Sequence, residues 1–483
     1  MNYEKMNLSP SGFLFTIREL GYSVEESIAD LVDNSISKNA NNITFRVYAS
    51  SNNSVKYISI MDDGDGMSEN ELTHRAMQWG PEFDKIRKKN DLGRFGFGLK
   101  AASLAHCEVL TVITKKNGTI SHRKVDADHI FETDKLETSK ELTSDMNEHI
   151  SRLDNLESGT IVIWEKLDRL LDSQTLSVRS AHLPIVNIRK RTEKHLAMIF
   201  SEMMDNINIH INTVINDINK IEPWDPFLKD HKETEIFPET KIDYKGSMVS
   251  IKPYILPSKQ TLMNESKSLY KEAGGVTGDW KDRQGFYIYR KNRLIVPGDW
   301  LEIGNTPLQK AEKYNRLRIK INYDGEFDED WKINLMKNRI RVPLLIKNKL
   351  NAIFKNLENE LRKMNYSKKP IINKEGELTP WTFIDNYGSK SIKIDRNNPN
   401  IKNIINEKNK DTVEKTLKLL EKKFPIEDIF YSTTSSDENN NFDSKQLQET
   451  IKIALEMKNT GMDNDDIITR VLNLNRIKVL NNE

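Results

Sequence analysis

Three short runs near the start of the chain carry side chains whose types and spacing suit chemistry on a nucleotide. The first is Asp30-Leu31-Val32-Asp33-Asn34-Ser35, where Asp30, Asp33, Asn34 and Ser37 fall at i, i+3, i+4 and i+7. A helix would line these four along one face. A carboxylate in such a stripe can activate water. An amide oxygen one turn on can hold Mg²⁺, a hard ion that takes several of its oxygens from phosphates and water. Taken alone, such a stripe is more often a plain solvated face. The second run is Asp62-Asp63-Gly64-Asp65-Gly66-Met67. A carboxylate at a strand end can accept from a purine amino group, and Gly64 and Gly66 would let a flat ring lie close. An ordinary surface turn is the competing reading. A calcium loop is excluded, because Asp-x-Asp-x-Asp-Gly is not satisfied and no bidentate Glu follows at the right offset. The third run, Gly93-Arg94-Phe95-Gly96-Phe97-Gly98-Leu99-Lys100, has the form of a phosphate cradle in which glycines free backbone N–H groups for oxyanions.

The elements that must position these runs are also legible. Ser23 with Glu26 reads as a capping box, so a helix should begin near Val24 with Ile28, Leu31, Val32 and Ile36 on its buried face. Val55 to Ile60 partly alternates apolar and polar residues, as in a half-buried strand leading to Asp62. Leu99 to Ala105 should be helical. Gly96-x-Gly98-x-x-Ala101 mimics part of a dinucleotide fingerprint, but the polar, basic Lys85 to Asp91 precedes it where that motif needs a strand. No Walker lysine pattern occurs. Glu69 to Lys89 is rich in charge and broken by Gly80-Pro81, which suits a mobile lid or a short helix with a solvated loop.

Together, in this order, the runs resemble the asparagine box and two glycine boxes of the GHKL ATPases, the group containing gyrase B, heat-shock protein 90, histidine kinases and MutL. The third run, with Ala101-Ala102-Ser103 after it, is most similar to the MORC- and MutL-like bacterial branch. The resemblance covers roughly the first two hundred residues and implies an ATP- and Mg²⁺-binding Bergerat-type α/β sandwich. Asp30 sits where the family has its general base and Asn34 where it has its Mg²⁺ ligand. Asp62 matches the adenine-binding carboxylate; Gly64, Gly66 and Met67 lie beside the purine. Gly93, Arg94, Phe95, Gly96, Phe97, Gly98, Leu99 and Lys100 match the phosphate-binding loop. Ser158 to Ile163 resembles the late strand whose Thr, here Thr160, supports the adenine contact. One departure matters: the family base is usually Glu, and Asp30 is shorter by a methylene. That change predicts slow turnover, with a binding-only site as the alternative.

The whole chain reads as a cytoplasmic α+β protein. Its 483 residues are enough for about two to four domains. Lys plus Arg, 73, nearly balance Asp plus Glu, 72, so no global field draws it to nucleic acid. The single cysteine, Cys107, precludes an intrachain disulfide and reads as a structural thiol at a helix-to-strand junction. No long apolar run predicts a membrane span. The divisions expected are 1–222 for the ATPase region, 223–365 for a second region and 366–483 for a linker with a small helical domain.

In the second region Gly246 to Pro257, Gly285 to Val296 and Leu317 to Tyr323 read as strands, with a hairpin turning at Lys291-Asn292. This region resembles the ribosomal S5-like α/β transducer domain of MutL- and MORC-like proteins. That resemblance implies that Trp331 to Arg339 carries a lysine reaching the γ-phosphate. Lys337 is the candidate, Lys332 and Arg339 its rivals, and a solvated strand lysine the plain alternative. Lys347 to Met364 should be a helix with Leu350, Ile353, Phe354, Leu357 and Leu361 on one stripe. Thr379-Pro380-Trp381 marks a linker or small β element, and Val413, Leu417, Leu420 and Phe424 form an amphipathic face. Ser432 to Ser444 reads as a link, and Lys445 to Met457 and Asp465 to Leu480 as terminal helices in a mostly helical C-terminal region.

The resemblance implies an ATP-gated, dimerising clamp. Its partners would be ATP, a second copy of the chain, double-stranded DNA and a separate nuclease or helicase, as in restriction or phage defence. Clusters at Arg189-Lys190-Arg191 with Lys194, at Arg290, Lys291 and Arg293, and at Arg316, Arg318 and Lys320 could meet phosphates, though solvated surface suits each. A chaperone like heat-shock protein 90, or a nucleotide-binding scaffold without turnover, is the alternative. A histidine kinase ranks last, since no His precedes Asp30.

Overall fold

The computed structural model describes residues 4, 7–49, 55–80, 97–143, 146–169, 183–212, 218–275, 279–303, 308–334, 337–365, 367–372, 378–386, 389–402 and 410–423. Gly93, Arg94, Phe95 and Gly96, Phe424, the Ser432 to Ser444 stretch and both expected terminal helices lie outside the described residues. The chain divides into two compact units, Met1–Asn351 and Ala352–Glu483.

Unit one contains two sheets. The first is built from β1 (Asn42–Ala49), β2 (Val55–Asp62), β3 (Val109–Lys116), β4 (Thr119–Asp126), β5 (Gly159–Glu165), β6 (Asn208–Asn212) and β7 (Ile218–Lys220). Their order is β4-β3-β5-β2-β1-β6-β7, antiparallel except for the β1–β6 pair. Its helices are α1 (Pro10–Arg18), α2 (Val24–Ile36), α3 (Glu69–Glu71), α4 (Gly98–Leu104), α5 (Ala127–Thr133), α6 (Asn147–Asp154) and α7 (Leu183–Ile199). Side chains alternate across a strand, and the sheet uses both faces. Ile58, Ile60, Val162 and Trp164 join the core that holds Ile28, Leu31 and Val32 of α2. Tyr57, Ile161 and Ile163 point the other way, onto Met146 and Leu153 beside and within α6. Each such fully buried aliphatic side chain contributes roughly 1.5–3 kcal/mol.

The second sheet comprises β8 (Glu235–Ile236), β9 (Thr240–Tyr244), β10 (Ser247–Ile255), β11 (Gly285–Arg290), β12 (Arg293–Asp299) and β13 (Leu317–Tyr323), ordered β12-β11-β13-β10-β8 with β9 on β10. The expected hairpin is β11–β12. Lys291 (φ 50°) and Asn292 (φ 66°) both adopt left-handed backbone, the arrangement that matches the twist of a two-residue turn. Short helices α8 (Lys259–Glu265), α9 (Lys267–Ala273) and α10 (Asp328–Trp331) complete this part. Phe227, Tyr254, Tyr287, Tyr289 and Leu294 belong to the same core as α2 and the first sheet. α7 packs on both α2 and β12, which brings the hairpin beside the acid-bearing helix.

α11 (Leu344–Asn365) carries the predicted stripe: Leu350, Phe354, Leu357 and Leu361 are buried and Ile353 is half-buried. In unit two an antiparallel sheet of β14 (Ser367–Ile372), β15 (Leu378–Asn386) and β16 (Ser389–Ile394) is followed by α12 (Pro399–Lys402) and α13 (Lys410–Lys423). The stretch around Thr379-Pro380-Trp381 is therefore a strand rather than a linker. Val413 and Leu417 of α13 are buried, and Arg396 pairs with Glu414 and Glu421.

Several members of the basic clusters have internal partners or are buried. Arg290 pairs with Asp328 (Nη2–Oδ2 2.6 Å), Lys320 with Glu202 (2.7 Å) and Arg191 with Glu25 (2.6 Å), while Arg318 is fully buried. Among the described residues no helix is long and apolar enough to cross a membrane. Cys107 is buried between α4 and β3, donates to the Ser103 carbonyl at 3.2 Å and has its thiol pKa pushed up by burial, as a structural thiol should.

Candidate active site

α2 begins at the predicted capping box: Ser23 Oγ accepts from Glu26 N (3.2 Å) and Glu26 Oε2 accepts from Ser23 N (3.1 Å). The polar stripe that follows is not a solvated face. Asp30 is 2% exposed and Asp33 is fully buried. Two ionised carboxylates one turn apart in such a place require cations, and the second sheet region supplies two. Lys337 Nζ donates to Asp30 Oδ1 at 3.0 Å and to Asp33 Oδ2 at 2.7 Å. Arg293 Nε, at the start of β12, donates to both oxygens of Asp33 at 2.8 Å, and its Nη2 lies 4.0 Å from Asp30 Oδ1. Tyr22 closes the cluster, its hydroxyl donating to Asp30 Oδ2 at 3.3 Å. Burial raises the Asp30 pKa; the Lys337 ammonium works against that rise.

Lys337 reaches the helix from a tied loop. Asn334 Oδ1 accepts from the backbone of Asn338 (3.1 Å) and Arg339 (3.0 Å), and Lys337 itself holds a left-handed φ of 52°. That conformation is unfavourable for a side-chain-bearing residue and persists where surrounding contacts fix it. Asn338 Nδ2 donates to Glu26 Oε1 at 2.6 Å, docking the loop on the first turn of α2. The rivals Lys332 and Arg339 are exposed.

The second predicted run lies beside the first. Asn34 is half-buried one turn after Asp30. Asp62 is the last residue of β2, opposite Thr160 on β5. Its Oδ2 accepts from Ser35 Oγ (2.7 Å), and its Oδ1 from the backbone N–H of Gly64 (3.0 Å) and Thr160 (3.2 Å). Burial raises its pKa to about 6, and these three donors hold the rise in check. Thr160 Oγ1 lies 3.1 Å from Thr114 Oγ1, which accepts from Met67 N at 2.8 Å. The two glycines have a packing reason of their own. A Cβ at Gly64 would meet the Lys38 carbonyl oxygen at 2.6 Å, and one at Gly66 (φ 59°) the Lys115 carbonyl oxygen at 1.9 Å.

Of the third run, Phe97, Gly98, Leu99 and Lys100 are described. A Cβ at Gly98 would lie 3.8 Å from Asp30 Oδ2, so the start of α4 does approach the acid helix. Leu99 packs on the main core, and Phe97 packs near Trp79 and Phe13. Lys100 faces elsewhere: Nζ donates to the Ala76 carbonyl (2.6 Å) and sits 5.5 Å from the Trp79 ring centroid, with its pKa lowered to about 8 by burial.

Residues 22–160 match the family model described as Histidine kinase-, DNA gyrase B-, and HSP90-like ATPase. This region is a GHKL ATPase domain. The match spans the three expected runs and Thr160, and ends before β12 and Lys337. No curated protein matches the chain.

Three residues at the centre of this cluster were not foreseen as site residues: Asp33 beyond its place in the stripe, Arg293 and Tyr22. Arg293 did leave a signal. It opens the apolar run Leu294-Ile295-Val296, and a charge entering a buried strand requires a buried counter-charge. Tyr22 left none.

Proposed function

We propose that the chain binds Mg²⁺-ATP in its GHKL domain, hydrolyses it slowly at Asp30, and uses the γ-phosphate to govern how the 223–365 region sits on the 1–222 region. The observation that carries this reading is the contact of Lys337 Nζ with both Asp30 and Asp33. A cation from outside the matched region is thereby held against the acid that matches the family's general base. A γ-phosphate beside Asp30 would compete for that ammonium, because phosphate oxygens are strong acceptors for charged donors. Transfer of Lys337 would free Asp30 Oδ1 while Tyr22 still donates to Oδ2, leaving a buried carboxylate oxygen suited to take a proton from attacking water.

The remaining roles follow the chemistry of each group. Asp62 would accept from the adenine amino group, and Thr160 would support it. Gly98 would line the phosphates with Gly93, Arg94, Phe95 and Gly96, and Asn34 would hold Mg²⁺. The half-buried amide of Asn34, one turn from Asp30, suits an ion that needs few protein ligands. Bound Mg²⁺ supplies neutralisation of phosphate charge. Lys100 would belong to the phosphate loop only after leaving the Ala76 carbonyl.

By family resemblance we extend this to a homodimeric clamp of MORC/MutL type on double-stranded DNA with a separate nuclease or helicase. That extension rests on the resemblance, since Arg290 and Lys320 of the predicted basic clusters have internal partners and Arg318 is buried. A nucleotide-binding switch without turnover is the second reading. It is favoured by the double engagement of Asp30, through Lys337 on one oxygen and Tyr22 on the other.

Phosphate release measured with and without double-stranded DNA, for wild type, Asp30→Ala and Asn34→Ala, tests all of this. Release by wild type that both substitutions abolish supports the ATPase. Binding of ATP with no release selects the switch. Release unaffected by either substitution overturns the assignment.

A further inference from the structure

The two cations on the acid pair are held differently. Arg293 is 3% exposed. Its Nε is shared between both oxygens of Asp33, Nη1 donates to the Leu294 carbonyl at 3.3 Å, and the guanidinium lies 5.8 Å from the Phe200 ring centroid. A guanidinium stays charged under all ordinary conditions, and this one is fixed from three sides. Lys337 instead divides one ammonium between Asp30 and Asp33 from a backbone of unfavourable φ. Its ammonium is a compact charge on a flexible stem, able to change partners.

We infer that Arg293 is a positioning residue that satisfies Asp33 permanently, so that Lys337 is free to leave the acid pair for a phosphate. The inference rests on the proposed role of Lys337. Asp33 is fully buried and cannot stand ionised and unpaired. With Arg293 in place, Asp33 keeps a cation when Lys337 departs, and only Asp30 is released. Without Arg293, Asp33 would have Lys337 as its remaining cation, and the lysine would be held where it is. The same pair also keeps the β11–β12 hairpin docked on α2 whichever partner Lys337 has.

The test compares affinity for a non-hydrolysable ATP analogue with affinity for ADP, by calorimetry on the full chain. Wild type should prefer the analogue by about tenfold or more, and Lys337→Met should lose that preference. Arg293→Gln should bind ADP as wild type does yet lose the preference too, with KM for ATP rising about tenfold because slow turnover makes it follow affinity. Asp33→Asn/Arg293→Gln removes the competing carboxylate with its partner and should restore the preference, a rescue that general damage to packing would not give. An Arg293→Gln protein with the wild-type preference overturns the inference, as does a double variant no better than Arg293→Gln. If Arg293→Gln does not fold, the double variant decides alone: a restored preference supports the inference, and its absence or a failure to fold overturns it. Loss of preference in wild type, or its survival in Lys337→Met, would instead strike the proposed function. With those two behaving as expected, a silent Arg293→Gln condemns this inference alone.

Discussion

Lys337 donates to Asp30 at 3.0 Å across 307 residues of sequence. Both groups are nearly excluded from water, so neither has solvent to fall back on when the other is removed. Lys337→Met should therefore lower unfolding free energy by about 3 kcal/mol, the scale for breaking a buried pair, and lower phosphate release at least about tenfold. Urea unfolding and a phosphate assay read the two effects. A midpoint identical to wild type would mean that the contact contributes nothing to the fold.

Asp62 gives a pH signature. Its pKa of about 6 lies above its ordinary 3.8 because burial penalises the charged form. The folded protein thus holds this proton more tightly than the unfolded chain. Its contribution to stability is present below pH 4 and is lost as pH rises to about 6, by about 3 kcal/mol. Asp62→Asn should flatten that part of the stability curve. Nucleotide affinity should run oppositely: the ionised form accepts from a purine amino group, so binding should weaken about tenfold per pH unit below about 6. Calorimetry from pH 5 to pH 8 checks it; an affinity independent of pH over that range would remove Asp62 from the purine contact.

Gly66 is constrained by its neighbours before any ligand is considered. Its φ of 59° disfavours a side chain, and a Cβ would lie 1.9 Å from the Lys115 carbonyl oxygen. Gly66→Ala should destabilise by about 3 kcal/mol, combining left-handed backbone with overpacking. Gly64→Ala, with its contact at 2.6 Å and no left-handed φ, should be milder. Thermal unfolding of the two variants orders them, and the reverse order would contradict the packing account.

What the sequence disclosed was what is local. The Ser23–Glu26 cap, the α2 stripe, the strand ending at Asp62 and the Lys291-Asn292 turn depend on residues a few positions apart, and all appear where spacing placed them. Asp33 shows in the sequence only as one member of a stripe because its two partners lie 260 and 304 residues away, beyond the reach of any periodicity. The internal partners of several basic residues are hidden for the same reason. Arg290, Lys320 and Arg191 are cancelled by acids at Asp328, Glu202 and Glu25, each separated from its partner by at least 38 residues. The Lys100 contact is equally invisible to spacing, because its length lets the ammonium reach the Ala76 carbonyl 24 residues back.

Glu26 has one consequence beyond starting a helix. One of its oxygens closes the cap with Ser23 and the other receives Asn338 from the lysine-bearing loop. Withdrawal of that loop strips a bond from the carboxylate that keeps the opening turn of α2 wound. Unfastening Lys337 and fraying of that turn are thereby thermodynamically linked, and amide exchange at Glu26 and Ser27 would report loop departure from a distance.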